Sequence, residues 1–145
     1  MITVCFYIDA KERCGRQIRI DRWTTLADGY GVDQLIVIDM NDIECFQPKA
    51  NVPVIKHKSL HDALAAYPDA SVVYIDKNQS HQSYEEYEHP PGDVIYCFGC
   101  DVGGFRGEAK REGDWITIPT DSKYELWAEQ AALLVMSDRY RRGSH

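Results

Sequence analysis

The sequence predicts an α/β domain built on a mainly parallel sheet that is flanked by helices. Three apolar, β-rich runs carry this prediction: ITVCFYI (2–8), QLIVID (34–39) and SVVYID (71–76). Runs without regular polar alternation are typical of strands buried on both faces, as strands are in parallel sheets. Segments of helical character separate the runs, and strands that alternate with helices indicate a parallel sheet with helices on both faces.

The two helices predicted between these strands extend from Glu12 to Asp28 and from Leu60 to Ala66. Ser59 precedes the second helix and is expected to be its N-cap, because a serine hydroxyl accepts a hydrogen bond from a free amide of the first turn.

The second half of the chain adds two strands and a closing helix. DVIYCF (93–98) and DWITIP (114–119) are the strands, and residues 124–142 predict a long helix. Leu126, Leu133 and Leu134, with neighbouring alanines and valine, are expected to form its apolar face. The polar, acidic stretch 78–92 predicts a surface connection with room for one helical turn.

Length and composition favour one soluble domain. The chain has 145 residues, of which 44% are hydrophobic and 27% charged, which is typical of a globular protein. We expect residues 1–142 to form a single domain and 143–145 to be the remnant of an expression tag. No basic leader precedes the first apolar run, and no stretch approaches the roughly 18 apolar residues that span a bilayer. The five cysteines are an odd number, so we expect reduced thiols, a cytoplasmic location and no membrane partner.

The charge is unevenly distributed. The formal net charge of −7 argues against a general nucleic-acid-binding surface. Between Lys11 and Arg22, however, the chain has five basic and two acidic residues. A local basic face on an acidic body is therefore compatible with the sequence.

Candidate ligand-binding loops follow three of the strands. Ligands of open parallel sheets bind beyond the carboxyl ends of the strands, which here are the loops after Asp76, Phe98 and Pro119. The loop after Phe98 reads GCDVGGF (99–105) and contains one acid, Asp101. Glycine lets the backbone bend sharply and approach a ligand closely. The alternative is that this loop is only a tight turn.

The order of motifs adds a family resemblance. VIYCFGCDVGGF (94–105), WITIPT (115–120) and YELWAEQAALLV (124–135) resemble two signature motifs of the SPOUT class, the trefoil-knotted RNA methyltransferases. The matching positions are Phe98, Gly99, Gly104 and Phe105 in the first motif and Ile116, Ile118, Pro119 and Leu126 in the second. Gly31, Val32 and Asp33 also match a turn of that family. The resemblance spans nearly the whole chain and implies a SPOUT-like fold with a C-terminal trefoil knot.

The resemblance also implies a cofactor. In this family S-adenosylmethionine lies bent in the knot, held mostly by backbone groups, and no metal is required. Carried over to this chain, the cofactor-binding residues are Ile75, Asp76, Gly99, Asp101, Gly104, Ile118 and Leu126.

The implied activity is methyl transfer to RNA, with the ribose 2′-hydroxyl of tRNA as the acceptor. The family uses an arginine to activate this hydroxyl, but alignment on Gly31 places Thr25 at that position. Arg22 lies one helical turn earlier and Arg19 one turn before that, so these two arginines are the catalytic candidates. The alternative is that they belong to a solvated helix face.

Other features keep further hypotheses open. Glu125 and Trp127 replace a family serine and asparagine, which favours as an alternative a non-catalytic SPOUT-like dimeric binding protein. The resemblance implies a homodimer in either case, with Trp127 as an interface anchor or a stacking surface. Cys97 and Cys100 form a C-x-x-C, but a zinc site needs about four ligands and no second cysteine pair exists. A flavodoxin-like or receiver-like domain is the third hypothesis.

Overall fold

The computed structural model describes residues 1–8, 13–39, 51–100, 104–121 and 126–143. In these parts of the chain a seven-stranded sheet is flanked by helices, and all its strand pairs are parallel. The predicted fold class is confirmed in this respect. The strands are β1 (Ile2–Tyr7), β2 (Gln34–Ile38), β3 (Val54–His57), β4 (Ser71–Asp76), β5 (Gln82–Ser83), β6 (Val94–Phe98) and β7 (Asp114–Thr117). The helices are α1 (Arg13–Gly29), α2 (Leu60–Ala65) and α3 (Ala128–Arg141).

Local sequence signals explain how two of the helices are bounded. Ser59 caps α2 as predicted, because its hydroxyl accepts a hydrogen bond of 3.1 Å from the Asp62 amide. After α1 the chain turns at Gly31, whose φ of 70° suits glycine. The Asp33 carboxylate then accepts a bond of 2.6 Å from the Ile2 amide, which ties this turn to the start of β1.

The order of strands across the sheet is β3-β2-β1-β6-β4-β7-β5. The late strand β6 therefore lies between β1 and β4, and the later strand β7 lies between β4 and β5. Because the strands are parallel, their carboxyl ends lie along one edge of the sheet. The ends of β6, β4 and β7 are consecutive along that edge. The predicted ligand loops after Asp76 and Phe98 begin directly at the ends of β4 and β6, and the loop after Pro119 begins two residues beyond β7.

Two strands were not predicted from the sequence, and both lie at the sheet edges. All four residues of β3 are only half-buried, and Lys56 and His57 interrupt its apolar character. The strand β5 has two residues and lies within the stretch 78–92, which was predicted to be a surface connection. Edge strands bury less surface, so their sequences carry a weaker hydrophobic signal.

Helices α1 and α3 cover one face of the sheet and α2 covers the other. On the first face, the indole of Trp23 stacks on Phe6 with ring centroids 4.1 Å apart and also contacts Phe98 at 5.9 Å. Trp23 is 3% exposed and both phenylalanines are buried.

None of the helices in the described ranges is long and apolar enough to cross a membrane.

The apolar face of α3 differs from the prediction. Leu133 and Leu134 are 46% and 38% exposed, while Leu126 precedes the helix and packs against the core. The buried residues of α3 are Ala131, Ala132, Val135, Met136, Asp138 and Arg139. Ala131, Ala132, Val135 and Met136 pack in the core cluster beside the sheet, which leaves the two leucines on the outer surface.

A buried polar network lies under the second half of α3. His89 has a side chain that is 1% exposed, with Nδ1 at 2.8 Å from the Tyr96 hydroxyl and Nε2 at 3.0 Å from Asp138 Oδ2. The carboxylate can only accept, so Nε2 carries the proton and Nδ1 accepts from Tyr96. Arg142 also donates to Asp138, with Nε at 2.9 Å. Burial lowers the pKa of His89, and the nearby charges of Arg142 and Arg139 act in the same direction while Asp138 opposes them.

Replacing Trp23 by alanine is expected to destabilise the protein strongly. The change leaves a cavity between α1 and the sheet, which costs about 3–5 kcal/mol of unfolding free energy. Asp28→Ala, at an exposed position of the same helix, should change it by less than about 0.5 kcal/mol. Chemical denaturation measures the unfolding free energy of both variants, and equal values would contradict this packing.

The His89 network predicts a loss of stability at acid pH. The pKa of His89 is lower in the folded protein than its ordinary value of 6.5, so the unfolded chain binds more protons as the pH falls. Stability that is complete at neutral pH is lost from about pH 6.5 downward, by about 1.4 kcal/mol for each unit separating the two pKa values. Denaturation at pH 7.5 and 5.0 should show a smaller loss in His89→Gln. Equal losses in the two proteins would refute this assignment.

Candidate functional site

Three neighbouring strand ends form the centre of the candidate site. Asp76 ends β4, Gly99 follows β6, and Ile118 follows β7; we call these three residues the strand-end cluster. Neighbouring strands are about 4.8 Å apart, so the three ends span about 10 Å along the edge of the sheet. The structure thus brings together predicted residues from three separate parts of the sequence, with Ile75 buried in β4 directly before Asp76.

The glycine loop closes on itself immediately after β6. Cys100 and Gly104 exchange two backbone hydrogen bonds of 2.7 and 3.2 Å. Gly104 has a φ of 57°, which favours glycine. A Cβ on Gly99 would lie 3.0 Å from the carbonyl carbon of Gly104, so the absence of a side chain permits this close approach. Asp101, the predicted acid of the loop, lies outside the described residues.

The chain after the glycine loop is anchored on the α2 face by an aromatic cluster. Phe105 is buried and packs edge-on against Tyr74 and Trp115, with ring centroids 5.5 and 5.6 Å away. The Tyr7 hydroxyl donates to Glu108 at 2.7 Å. Burial and this carboxylate raise the pKa of Tyr7, so the hydroxyl stays protonated and keeps the bond.

Arg111 fixes the far end of the same segment. Its guanidinium donates to four backbone carbonyls around the end of α2, which belong to Leu64, Tyr67, Pro68 and Ala70 at 2.8, 2.9, 2.9 and 2.5 Å. The Tyr74 hydroxyl donates to the Arg111 carbonyl at 2.7 Å, and burial raises the pKa of Tyr74 to about 12. The segment from Phe105 to Arg111 is therefore held against the sheet at both ends.

Two polar residues that the sequence analysis did not single out connect the ends of β4 and β7. Thr117 Oγ1 donates to the Asp76 carbonyl at 2.7 Å, and Gln79 Nε2 donates to the Ile118 carbonyl at 3.0 Å. A polar residue inside the apolar run WITIP is a sequence signal for Thr117. Nothing in the sequence marks Gln79, because its partners Thr117 and Ile118 are almost forty residues away.

Leu126 and Trp127 lie where α3 begins. Leu126 packs against the core cluster that contains Ile75 and Ile118. Trp127 is 58% exposed, and its backbone amide donates to Gln130 Oε1 at 2.8 Å. The indole ring is therefore available on the surface next to the site.

The catalytic candidates Arg19 and Arg22 lie in the middle of α1. Arg22 Nη1 donates to Glu129 Oε1 at 3.0 Å, and this ion pair links α1 to the first turn of α3. The side chain of Arg22 is 56% exposed, and Arg19 is half-buried one turn earlier. Arg22 thus lies close to the start of α3. Thr25 is exposed and donates to the Asp21 carbonyl at 2.7 Å.

The cysteines of the C-x-x-C lie at the junction of β6 and its loop. Cys97 is buried in β6, and the buried Cys100 accepts a hydrogen bond of 3.3 Å from Arg106 Nη2 at Sγ. Within the described ranges, no group of three or more His, Cys, Asp or Glu residues is placed to hold a metal ion.

Comparison with known proteins identifies the fold. No protein-family model matches the sequence, and no curated protein matches it significantly. Among solved structures, a TrmH-family protein from Porphyromonas gingivalis matches 97% of this chain and 60% of its own, with 20% identity and a TM-score of 0.74. The SpoU methyltransferase AviRb from Streptomyces viridochromogenes, in complex with the cofactor AdoMet, matches the same shares with 17% identity and a TM-score of 0.71. The TrmH/SpoU tRNA modifying enzyme of A. aeolicus matches 97% of this chain and 74% of its own, with 12% identity and a TM-score of 0.78.

The chain therefore has the fold of the TrmH/SpoU methyltransferases, as the resemblance of its motifs implies. It spans 60% of the length of the first two of these neighbours. The trefoil knot itself stays an expectation.

Proposed function

We propose that residues 1–142 form a methyltransferase domain that uses S-adenosylmethionine and methylates RNA, with a ribose 2′-hydroxyl of tRNA as the acceptor. The observation that carries this proposal is the convergence of three strand ends, Asp76, Gly99 and Ile118, on consecutive strands of a fold shared with TrmH/SpoU methyltransferases. Their sequence motifs also resemble those of that class. Ligands of parallel sheets bind at this kind of edge.

The residues of the site fit this cofactor. The glycine loop has no side chains at Gly99 and Gly104, and among the described residues no atom lies within 4 Å of where a Cβ on Gly104 would be. Asp76 and Ile118 lie at the carboxyl ends of the paired strands β4 and β7. We propose that Ile75, Asp76, Gly99, Asp101, Gly104, Ile118 and Leu126 hold the cofactor, mainly through their backbones.

The bound cofactor would supply an electrophilic methyl group on a sulfonium. A ribose hydroxyl is a weak nucleophile, so the protein has to align it and stabilise the negative charge that develops on its oxygen. Arg22 is the better placed candidate, because the Glu129 ion pair holds its guanidinium beside the start of α3. Arg19, one turn away on α1, can contact the anionic RNA backbone.

The test of this function is transfer of a tritiated methyl group from S-adenosylmethionine to bulk tRNA. Arg22→Ala and Arg19→Ala should bind the cofactor as the wild type does, and the variant lacking the activating group should lose about a hundredfold in rate. Arg141→Ala, an exposed position near the far end of α3, is the matched control and should retain full activity. Unchanged transfer in both Arg19 and Arg22 variants would overturn the catalytic assignment.

A second candidate is a non-catalytic SPOUT-like binding domain. It is favoured by the exposed Trp127 and by Glu125, which stand where the family has polar catalytic residues, and by the ion pair that occupies Arg22. Cofactor binding without transfer to any RNA would support this candidate, whereas tritium incorporation would refute it.

We further propose that the domain is a homodimer that associates through α1 and α3. Ile18 lies one turn before Arg22, and Leu133 lies one turn after Glu129, so both side chains flank the ion pair that joins the two helices. Large apolar residues exposed on these two elements and at the start of α3 are Ile18, Trp127, Leu133, Leu134 and Tyr140. A surface with both charges and a surrounding apolar area can pair with its own copy about a two-fold axis.

Leu133→Glu should convert the dimer into a monomer, because the interface would bury an unpaired charge. Analytical ultracentrifugation should show a dissociation constant at least about tenfold higher than in the wild type. Ala66→Glu adds the same charge at an exposed position beside α2, on the opposite face of the sheet, and should remain dimeric. A monomeric wild-type protein would contradict this proposal.

A further inference from the structure

The five residues between β4 and β5 pass the carboxyl end of β7. The strand β7 lies between these two strands, with Thr117 paired to Asp76 on one side and to Ser83 on the other. The connection 77–81 therefore has to run around the point where the chain leaves β7 and continues toward α3. A contact at this point can control the direction in which the chain leaves the sheet after β7.

Gln79 makes such a contact from the middle of the connection. Its Nε2 atom is 3.0 Å from the Ile118 carbonyl oxygen, 3.3 Å from Thr117 Oγ1 and 3.2 Å from the Lys77 carbonyl oxygen. Gln79 is exposed, whereas Thr117 and Ile118 are 2% and 8% exposed. The amide thus joins a surface connection to two buried residues of β7 and its exit.

The orientation of the Gln79 amide follows from its partners. Two of them are carbonyl oxygens, which only accept hydrogen bonds. The third, the Thr117 hydroxyl, already gives its proton to the Asp76 carbonyl at 2.7 Å and so acts as an acceptor toward Gln79. The nitrogen of the amide must therefore face this group, and the flipped orientation would place oxygen against oxygen.

Two members of the strand-end cluster are connected by these bonds. Gln79 donates to Ile118 and to Thr117, and Thr117 donates to Asp76. The carbonyl oxygens of Asp76 and Ile118 are thus fixed relative to each other by two side chains. Backbone recognition of a ligand needs such fixed geometry, because a misplaced carbonyl or amide loses its hydrogen bond.

We propose that Gln79 is a positioning residue that holds the β4 and β7 strand ends in the arrangement that binds the cofactor. This proposal rests on the proposed function, since it concerns the same cofactor site. The specific requirement is a hydrogen-bond donor at the end of the residue 79 side chain. Gln79 acts through the backbone of Ile118 and Asp76, and no contact with the cofactor is needed.

The test compares three variants by calorimetric titration with S-adenosylmethionine. Gln79→Glu has the same shape but places a carboxylate against three acceptors, so the dissociation constant should rise about tenfold or more. Gln79→Lys retains a donor and should stay within about threefold of the wild type. Gln82→Glu is the matched control, because Gln82 is an exposed glutamine of the same region that donates to the Glu86 carbonyl at 3.3 Å. It makes the same change in charge and should bind normally.

Amide hydrogen exchange without cofactor provides a second readout that separates positioning from global stability. In Gln79→Glu, exchange should accelerate in the residues around Ile118 and Asp76 while the core strand β6 keeps its protection. Equal weakening of binding by the glutamate and lysine variants would overturn the proposal, as would unchanged binding and exchange in Gln79→Glu. If the wild-type protein binds no cofactor, the proposed function fails, and local exchange then decides alone whether Gln79 orders the two strand ends.

Discussion

The insertion of β6 and β7 between earlier strands is the constraint on which the rest of the structure depends. β6 pairs over five residues with both β1 and β4, and β7 pairs with β4 on one side and β5 on the other. Both strands are therefore hydrogen-bonded along both edges. All five residues of β6 are buried, whereas in β7 only Ile116 and Thr117 are. The same insertion makes the carboxyl ends of β6, β4 and β7 neighbours. A site assembled from distant parts of the chain follows directly from the strand order.

Side chains on both faces of the sheet pack against these carboxyl ends and the segments that follow them. On the α1 side Trp23 packs on Phe98, the last residue before Gly99. On the α2 side Phe105 and Arg111 hold the segment that follows the glycine loop. Between β4 and β7 the side chains of Gln79 and Thr117 connect the two carboxyl ends. Arg111 and Thr117 act on backbone carbonyls, whereas the aromatic contacts join one side chain to another. The fold is shared with the three structural neighbours at 20% identity or less.

The sequence predicts the central part of the sheet because its strands are uninterrupted apolar runs that are fully buried, as β1, β2 and β6 are. It fails at the edges, where β3 contains Lys56 and His57 and where β5 has two residues. It also assigns Leu133 and Leu134 to the buried face of α3, because leucine is usually buried, whereas Ala131, Ala132, Val135 and Met136 occupy that face. The strand-end residues are predicted from motifs. Gln79 is not, since its role depends on a chain crossing that only the strand order reveals.

The most direct test of the account is calorimetric titration of the folded protein with S-adenosylmethionine, combined with amide exchange across the strand-end cluster. The account predicts saturable binding in the micromolar range and slower exchange near Asp76, Gly99 and Ile118, with little change in α2. Absence of binding by the folded protein, or protection confined to other parts of the chain, would contradict it.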